Sequence, residues 1–104
     1  MLKKNALNVG GTYEVRSDRP LSNGLAGFQQ TIPVVSARAG YVAGDSNFAL
    51  SPGDQCQLMH GPTKVNGVNI VQVKSVTTGV IGCVFWCEFR CNLVEPKPKA
   101  AFKI

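Results

Sequence analysis

Four cysteines are the residues in this 104-residue chain whose type and spacing most invite a chemical interpretation. Three of them form the pattern Cys83-x3-Cys87-x3-Cys91, and Cys56 stands apart. On a helix, thiols at this spacing would stack on one face and could share a metal ion. On a strand, four residues span about 13 Å. Because zinc–sulfur bonds are about 2.3 Å long, three thiols so spaced cannot bind one zinc ion.

Two aromatic residues, Phe85 and Phe89, alternate with these cysteines, and this period of two favours a strand. We therefore interpret the thiols as small apolar packing groups. A disulfide between neighbouring strands, with Cys56 as a candidate partner, stays open as an alternative, and so does a metal site. The prediction is that the chain holds no metal ion and no cofactor.

The sole histidine, His60, precedes Gly61-Pro62 and is expected at a surface turn. A catalytic base needs a nucleophile and an orienting partner, and no hydrolase or zinc-protease motif in the sequence supplies them. The six acidic residues are dispersed, and no glycine-rich phosphate loop is present. We therefore predict that the protein is not an enzyme.

Short runs of alternating apolar residues predict strands, whereas no window shows clean helical spacing free of Gly and Pro. Pro33 indicates an edge strand or a bulge. Asn66-Gly67, between Val65 and Val68, predicts a tight hairpin. Turns are expected at 45–47, 61–67 and 77–79. The predicted strands cover residues 12–17, 31–37, 40–44, 55–60, 68–76 and 80–94.

The stretch 80–94 has the clearest alternation. A pleated strand there directs one set of side chains into the core, namely Cys83, Phe85, Cys87, Phe89, Cys91 and Leu93. The other face then carries Val84 and Trp86, and a solvent-facing Trp beside Val is a candidate interface anchor. The alternative is that residues 1–48 cover Trp86 as a second layer of the same domain.

The positive charge is concentrated at the two ends of the chain. Eleven basic residues exceed six acidic ones, but residues 5–95 contain six of each. The excess therefore lies in segments 1–4 and 96–104, which flank a single predicted domain with its core at about 10–95. Their lysines are candidate contacts to phosphate or to an acidic partner: Lys3, Lys4, Lys97, Lys99 and Lys103. Phe102 and Ile104, apolar residues in the second basic segment, are further candidates for docking on a neighbour.

Residues 50–95 resemble the SH3-like small barrels, the family that includes KOW modules and bacterial SH3 domains. The resemblance rests on Leu50-Ser-Pro-Gly-Asp54 before a strand, Val71-Gln-Val-Lys-Ser75, Thr78-Gly-Val-Ile-Gly82 and the closing Asn92-Leu93-Val94. It implies an all-β fold, a small barrel or sandwich with an antiparallel meander. The basic loop of KOW modules is poorly matched, because 61–67 carries only Lys64. The resemblance therefore implies a fold and no functional residue.

Low charge density, a neutral body and short basic ends are typical of subunits held by neighbours. We expect a non-enzymatic structural or interaction protein that docks on a larger assembly, through a protein partner or by self-assembly into an oligomer, of the kind found as decoration or tail proteins in phage virions. The alternative is a nucleic-acid-binding small barrel that uses its basic ends. Because no apolar segment follows Lys3-Lys4 and none reaches membrane-spanning length, the expected location is cytoplasmic, or the virion if the source is viral, with no membrane partner.

Overall fold

The structure is a computed structural model that describes residues 2–22, 28–38 and 41–96. The described chain is predominantly β-strand, with one short α-helix and one 3-10 helix. The elements are the 3-10 helix Lys4–Ala6, β1 Thr12–Val15, β2 Leu21–Ser22, β3 Phe28–Gln29, β4 Ile32–Arg38, β5 Tyr41–Leu50, β6 Gln55–Val65, β7 Val68–Ser75, β8 Ile81–Phe85, α1 Trp86–Asn92 and β9 Leu93–Val94.

Seven of the strands form one antiparallel sheet in the order β5-β4-β8-β7-β6-β1-β9, while β2 and β3 pair separately. The sheet curls into a half-barrel. This confirms the all-β prediction and the antiparallel arrangement. Strands β6, β7 and β8 are consecutive in both sequence and space, so they form the predicted meander.

The Asn66-Gly67 hairpin is confirmed, and its backbone explains the residue choice. Both residues have positive φ, 51° at Asn66 and 83° at Gly67, as a two-residue hairpin turn of the primed type requires. The loop predicted to begin at Gly61-Pro62 is wrong, because β6 continues to Val65. The register of β6 against β7 shifts between His60 and Thr63, so the Gly-Pro pair is taken up as an irregularity within the strand.

The sequence predicts that Pro33 marks an edge strand or a bulge. The edge-strand alternative is wrong, because β4 lies between β5 and β8, and the irregularity in β4 begins after Val34 and not at Pro33. The register of β4 against β5 shifts on both sides of Val35. Pro33 pairs with Ala49 of β5, and Val35 of β4 lies opposite Cys83 of β8. The turn predicted at 45–47 is wrong, since β5 runs unbroken through it.

The strand predicted from Val80 to Val94 is wrong beyond Phe85. Strand β8 ends there, α1 follows, and β9 then pairs with β1 through Val94 and Glu14. The chain must cross from β8 to β1 on the far flank of the meander. Seven helical residues advance about 10 Å, whereas seven extended residues would advance about 23 Å. The helix therefore allows a compact crossing.

The main core lies inside the curl of the sheet and includes Tyr13, Leu58, Val73, Trp86 and Phe89. A second, smaller cluster lies on the opposite side of the strands. It contains the buried residues Val35, Ile70 and Cys83, with Val65 and Phe85 packed against it. Within the described ranges, no helix has the length and apolar content needed to cross a membrane.

Candidate functional site

The two residues predicted to be exposed interface anchors are buried. Val84 has no exposed surface and Trp86 is 7% exposed, because the face of β8 that carries Val84 is the one turned to the main core, and Trp86 at the start of α1 packs in the same cluster. Its indole stacks on Phe89, with ring centroids 6.2 Å apart. Tyr13, Val15 and other residues before position 48 belong to the same cluster, so the alternative that residues 1–48 cover Trp86 is confirmed.

One edge of Trp86 still lines a surface pocket together with three basic side chains. Lys3, Lys4 and Arg90 border this cavity of about 350 Å³, and Leu2 completes its lining. Among the described residues that form it, none is acidic. The structure therefore brings the predicted contacts Lys3 and Lys4 to a site with a third cation that the sequence did not nominate. We call this site the basic pocket.

The N-terminal segment is held against α1 by its backbone. The amide of Leu2 donates to the carbonyl of Arg90 at 3.1 Å. The 3-10 turn that follows is closed by the amide of Ala6 donating to the carbonyl of Lys3 at 3.1 Å. These bonds occupy the main chain and leave the lysine side chains exposed. The basic pocket is therefore positioned by the main chain, with the side chains of Lys3 and Lys4 exposed to solvent.

An acidic groove of about 500 Å³ lies at the other end of the same surface. Its lining includes three carboxylates, those of Glu14, Asp18 and Glu95, and one guanidinium, that of Arg16. Gln55 donates to Glu14 at 3.0 Å. Glu95 follows β9 and is exposed. The lining of the acidic groove therefore has a formal net charge of −2.

Arg16 lies between the basic pocket and the acidic groove and holds β1 and α1 together there. Its guanidinium pairs with Asp18, with Nε 3.0 Å from Oδ1, and also donates to the carbonyl of Cys91 at 3.1 Å. That carbonyl belongs to the last turn of α1, where backbone acceptors lack helical partners. The hydrogen bond from Arg16 also holds the pKa of Asp18 below its usual value. Arg16 therefore ties β1 to the end of the helix.

A third cavity, of about 230 Å³, connects the basic pocket to the acidic groove. It shares Leu2 and Arg90 with the basic pocket, and Arg16, Val94 and Glu95 with the acidic groove. The three cavities form one continuous depression, which we call the trench. Its middle is partly apolar, because Val94 is 36% exposed there and Cys91 is half-buried.

The four cysteines divide into two kinds, and only two fill the interior. Cys56 and Cys83 are buried, whereas α1 turns Cys87 and Cys91 outward, so the predicted packing role fails for those two. All four are free thiols. Burial raises the pKa of Cys56 to about 12 and also raises the pKa of Cys83. The described residues contain no group of three or more side chains suited to hold a metal ion.

We expect two cysteine thiols of the folded protein to react quickly with a thiol reagent and two to react slowly. At pH 8, a chromogenic disulfide reagent should modify Cys87 and Cys91 quickly, because thiolates are the reactive form and these two are accessible. Cys56 and Cys83 should react only on unfolding, because they are buried and hold their protons. The release of chromophore, measured with and without urea, counts each class. Four fast thiols in the folded state would contradict the structure.

His60 lies in β6 and is exposed, with Nδ1 2.9 Å from the carbonyl oxygen of Gly61. It borders a cavity of about 240 Å³ with Cys83 and Gln72. The raised pKa of Cys83 opposes formation of a thiolate there. His60 and Cys83 therefore do not have the electrostatics of an activated nucleophile and its base.

The remaining predicted contact residues, in the C-terminal basic segment, lie outside the described residues. They are Lys97, Lys99, Phe102, Lys103 and Ile104. The charged trench residues that the sequence did not nominate include Glu14, Asp18, Arg90 and Glu95. Arg90 could have been found only by recognising the helix, since residues four apart on a helix are neighbours and Trp86 is four before it.

Comparison of the chain with models of protein families, with curated proteins and with solved structures found no match. A function must therefore be inferred from the trench and its residues.

Proposed function

We propose that the protein is a non-enzymatic interaction module that docks on a larger assembly through the trench. The observation that carries this proposal is the separation of charge along one continuous depression. The basic pocket holds Lys3, Lys4 and Arg90, and the acidic groove holds Glu14 and Glu95. Complementary charge at the rim of an interface selects partners and speeds association.

The fold is consistent with such a role. The path of the chain, in which a β6-β7-β8 meander is followed by a short helix and by a last strand that returns to β1, supports an SH3-like small barrel. Binding residues are often carried by connecting segments that a rigid scaffold positions. Small virion components, such as decoration or tail proteins, are the class we propose for this chain.

A second candidate function, binding of nucleic acid, is favoured by the basic pocket. Three cations surround one edge of Trp86, and no described residue in the lining is acidic. Phosphate groups are attracted by clustered lysine and arginine, and exposed aromatic edges contact bases. The acidic groove in the same depression opposes this function, because a polyanion lying along the trench would meet Glu14 and Glu95.

Affinity capture of the tagged protein from the cells or particles that encode it, with and without nuclease, separates the two functions. We expect a partner that survives nuclease and is lost in the charge reversals Lys3→Glu/Lys4→Glu and Glu95→Lys. A matched control is Lys64→Glu/Lys74→Glu, which changes the net charge as much as the first variant and lies on the meander away from the trench.

Two results would contradict the proposal. Loss of the partner on nuclease treatment would favour nucleic acid, and binding of labelled single-stranded DNA that falls steeply with salt would then be expected. Retention of a nuclease-resistant partner by both trench variants would show that docking uses another surface. Trp86 is the only tryptophan, so its emission reports occupation of the basic pocket directly.

A further inference from the structure

We infer that the trench binds the trench of a second copy of this chain, related by a two-fold axis through its middle. This inference rests on the proposed function and names its partner. A two-fold interface uses the same patch on both subunits. A patch that is positive at one end and negative at the other is complementary to itself under that rotation. Each basic pocket then faces the acidic groove of the other copy.

The charged side chains at the two ends of the trench are opposite in sign and are available for contact. Lys3 and Lys4 are exposed, and their backbone is already held by the Leu2 and Ala6 hydrogen bonds. Glu95 is exposed at the other end. Asp18 is engaged by Arg16 and Glu14 accepts from Gln55, so the exposed Glu95 is the main carboxylate available to meet lysines.

The middle of the trench has the character expected near such an axis. Interfaces have an apolar centre and a polar rim. Val94 is a partly exposed apolar residue at the centre and Cys91 is half-buried beside it, while Arg90 borders the centre toward the basic pocket and Glu95 borders it toward the acidic groove. Val94 also belongs to β9, the last strand in the order of the sheet. The two-fold arrangement would cover Val94 on both copies.

Sedimentation velocity of the full chain over a range of concentrations tests the inference. We expect a monomer–dimer equilibrium whose dissociation constant rises with salt, because exposed charge pairs are screened. Lys3→Glu/Lys4→Glu should weaken the dimer by about tenfold or more, since like charges would then face each other. Glu95→Lys should also weaken it, and Lys64→Glu/Lys74→Glu should not.

Mixing the two weakened variants gives the decisive measurement. In a mixed dimer of Lys3→Glu/Lys4→Glu with Glu95→Lys, one end keeps the original pairing and the other end has both charges exchanged. The two-fold arrangement therefore predicts that the mixture recovers dimers that neither variant forms alone. An equally weak mixture would overturn the inference, and so would a chain that stays monomeric at all concentrations.

A further variant, which lacks residues 97–104, tests whether the C-terminal segment rather than a second copy of the chain occupies the acidic groove. The C-terminal segment carries three lysines and leaves the acidic groove at Pro96, so it is an alternative ligand of that groove. We expect truncation to leave the dimer intact. If truncation abolishes association and the lysine reversal does not, the tail occupies the groove and the inference fails. A monomer whose trench variants still lose their captured partner would overturn the dimer and leave the proposed function standing.

Discussion

Replacing Trp86 by alanine is expected to lower the free energy of unfolding by about 3–5 kcal/mol, whereas replacing the adjacent Cys87 should change it by less than about 0.5 kcal/mol. Trp86 is 7% exposed and stacks on Phe89, which has no exposed surface. Phe89 in turn meets Tyr13 edge to face, with centroids 5.5 Å apart. Truncating Trp86 would leave a cavity beside both rings.

The pair of variants separates the helix from the extended alternative. In the strand predicted from the sequence, whose cysteine-bearing face is the core face, Cys87 would lie beside Phe89 in the core and Trp86 would face outward. Cys87→Ala would then be the costly change and Trp86→Ala the mild one. In the helix the order is reversed. Urea unfolding followed by far-ultraviolet circular dichroism measures both, since that signal does not depend on the tryptophan. Equal costs for the two variants would contradict α1.

Most of the sheet could be predicted because its strands follow simple local rules. Tyr13 and Val15 alternate with polar residues and are buried as predicted, and Cys56 and Leu58 repeat this in β6. Asn66-Gly67 fixed the central hairpin, because few residue pairs accept two positive φ angles. Where the period of two coincides with a strong turn signal, local sequence is sufficient.

The helix was missed because two periods overlap in the same residues. Counting cysteine as apolar gives a period of two from Cys83 to Leu93. The positions 86, 89 and 93 have helical spacing at the same time, and the structure buries all three. Over seven residues, the local sequence cannot decide between the strand period of two and the helical period. The topology decides between them, since the chain must return from β8 to β1.

The candidate site could be predicted only in part, and the reason is the same helix. Lys3 and Lys4 were identified from charge distribution alone. Their pocket requires Arg90 and Trp86, which come together only when α1 forms and the Leu2 amide binds the Arg90 carbonyl. The acidic groove joins β1 to the segment after β9, about eighty residues later, through a pairing that no local pattern encodes.

The second large effect is expected at Asn92, the last residue of α1, which has no exposed surface. Its side-chain amide donates to the carbonyls of Ser22 at 2.6 Å and Glu88 at 2.9 Å, and its oxygen accepts from the amide of Ser22 at 2.8 Å. One buried side chain thus joins the helix to β2. Asn92→Ala should lower the free energy of unfolding by about 2–4 kcal/mol, because buried polar groups that lose a partner cost about 1–3 kcal/mol each.

An isosteric change tests whether the donors of this side chain matter. In Asn92→Asp a carboxylate oxygen would face the carbonyls of Ser22 and Glu88, and a buried charge without a cation is costly. Stability should therefore fall as pH rises through about 4, where an exposed Asp ionises, and the deficit relative to the parent should shrink at pH 3.5. Asn5→Ala, an exposed change in the 3-10 helix, is the matched control. If Asn92→Asp is as stable as the parent at pH 7, the Asn92 side chain does not hold the helix to β2 by its amide N–H groups.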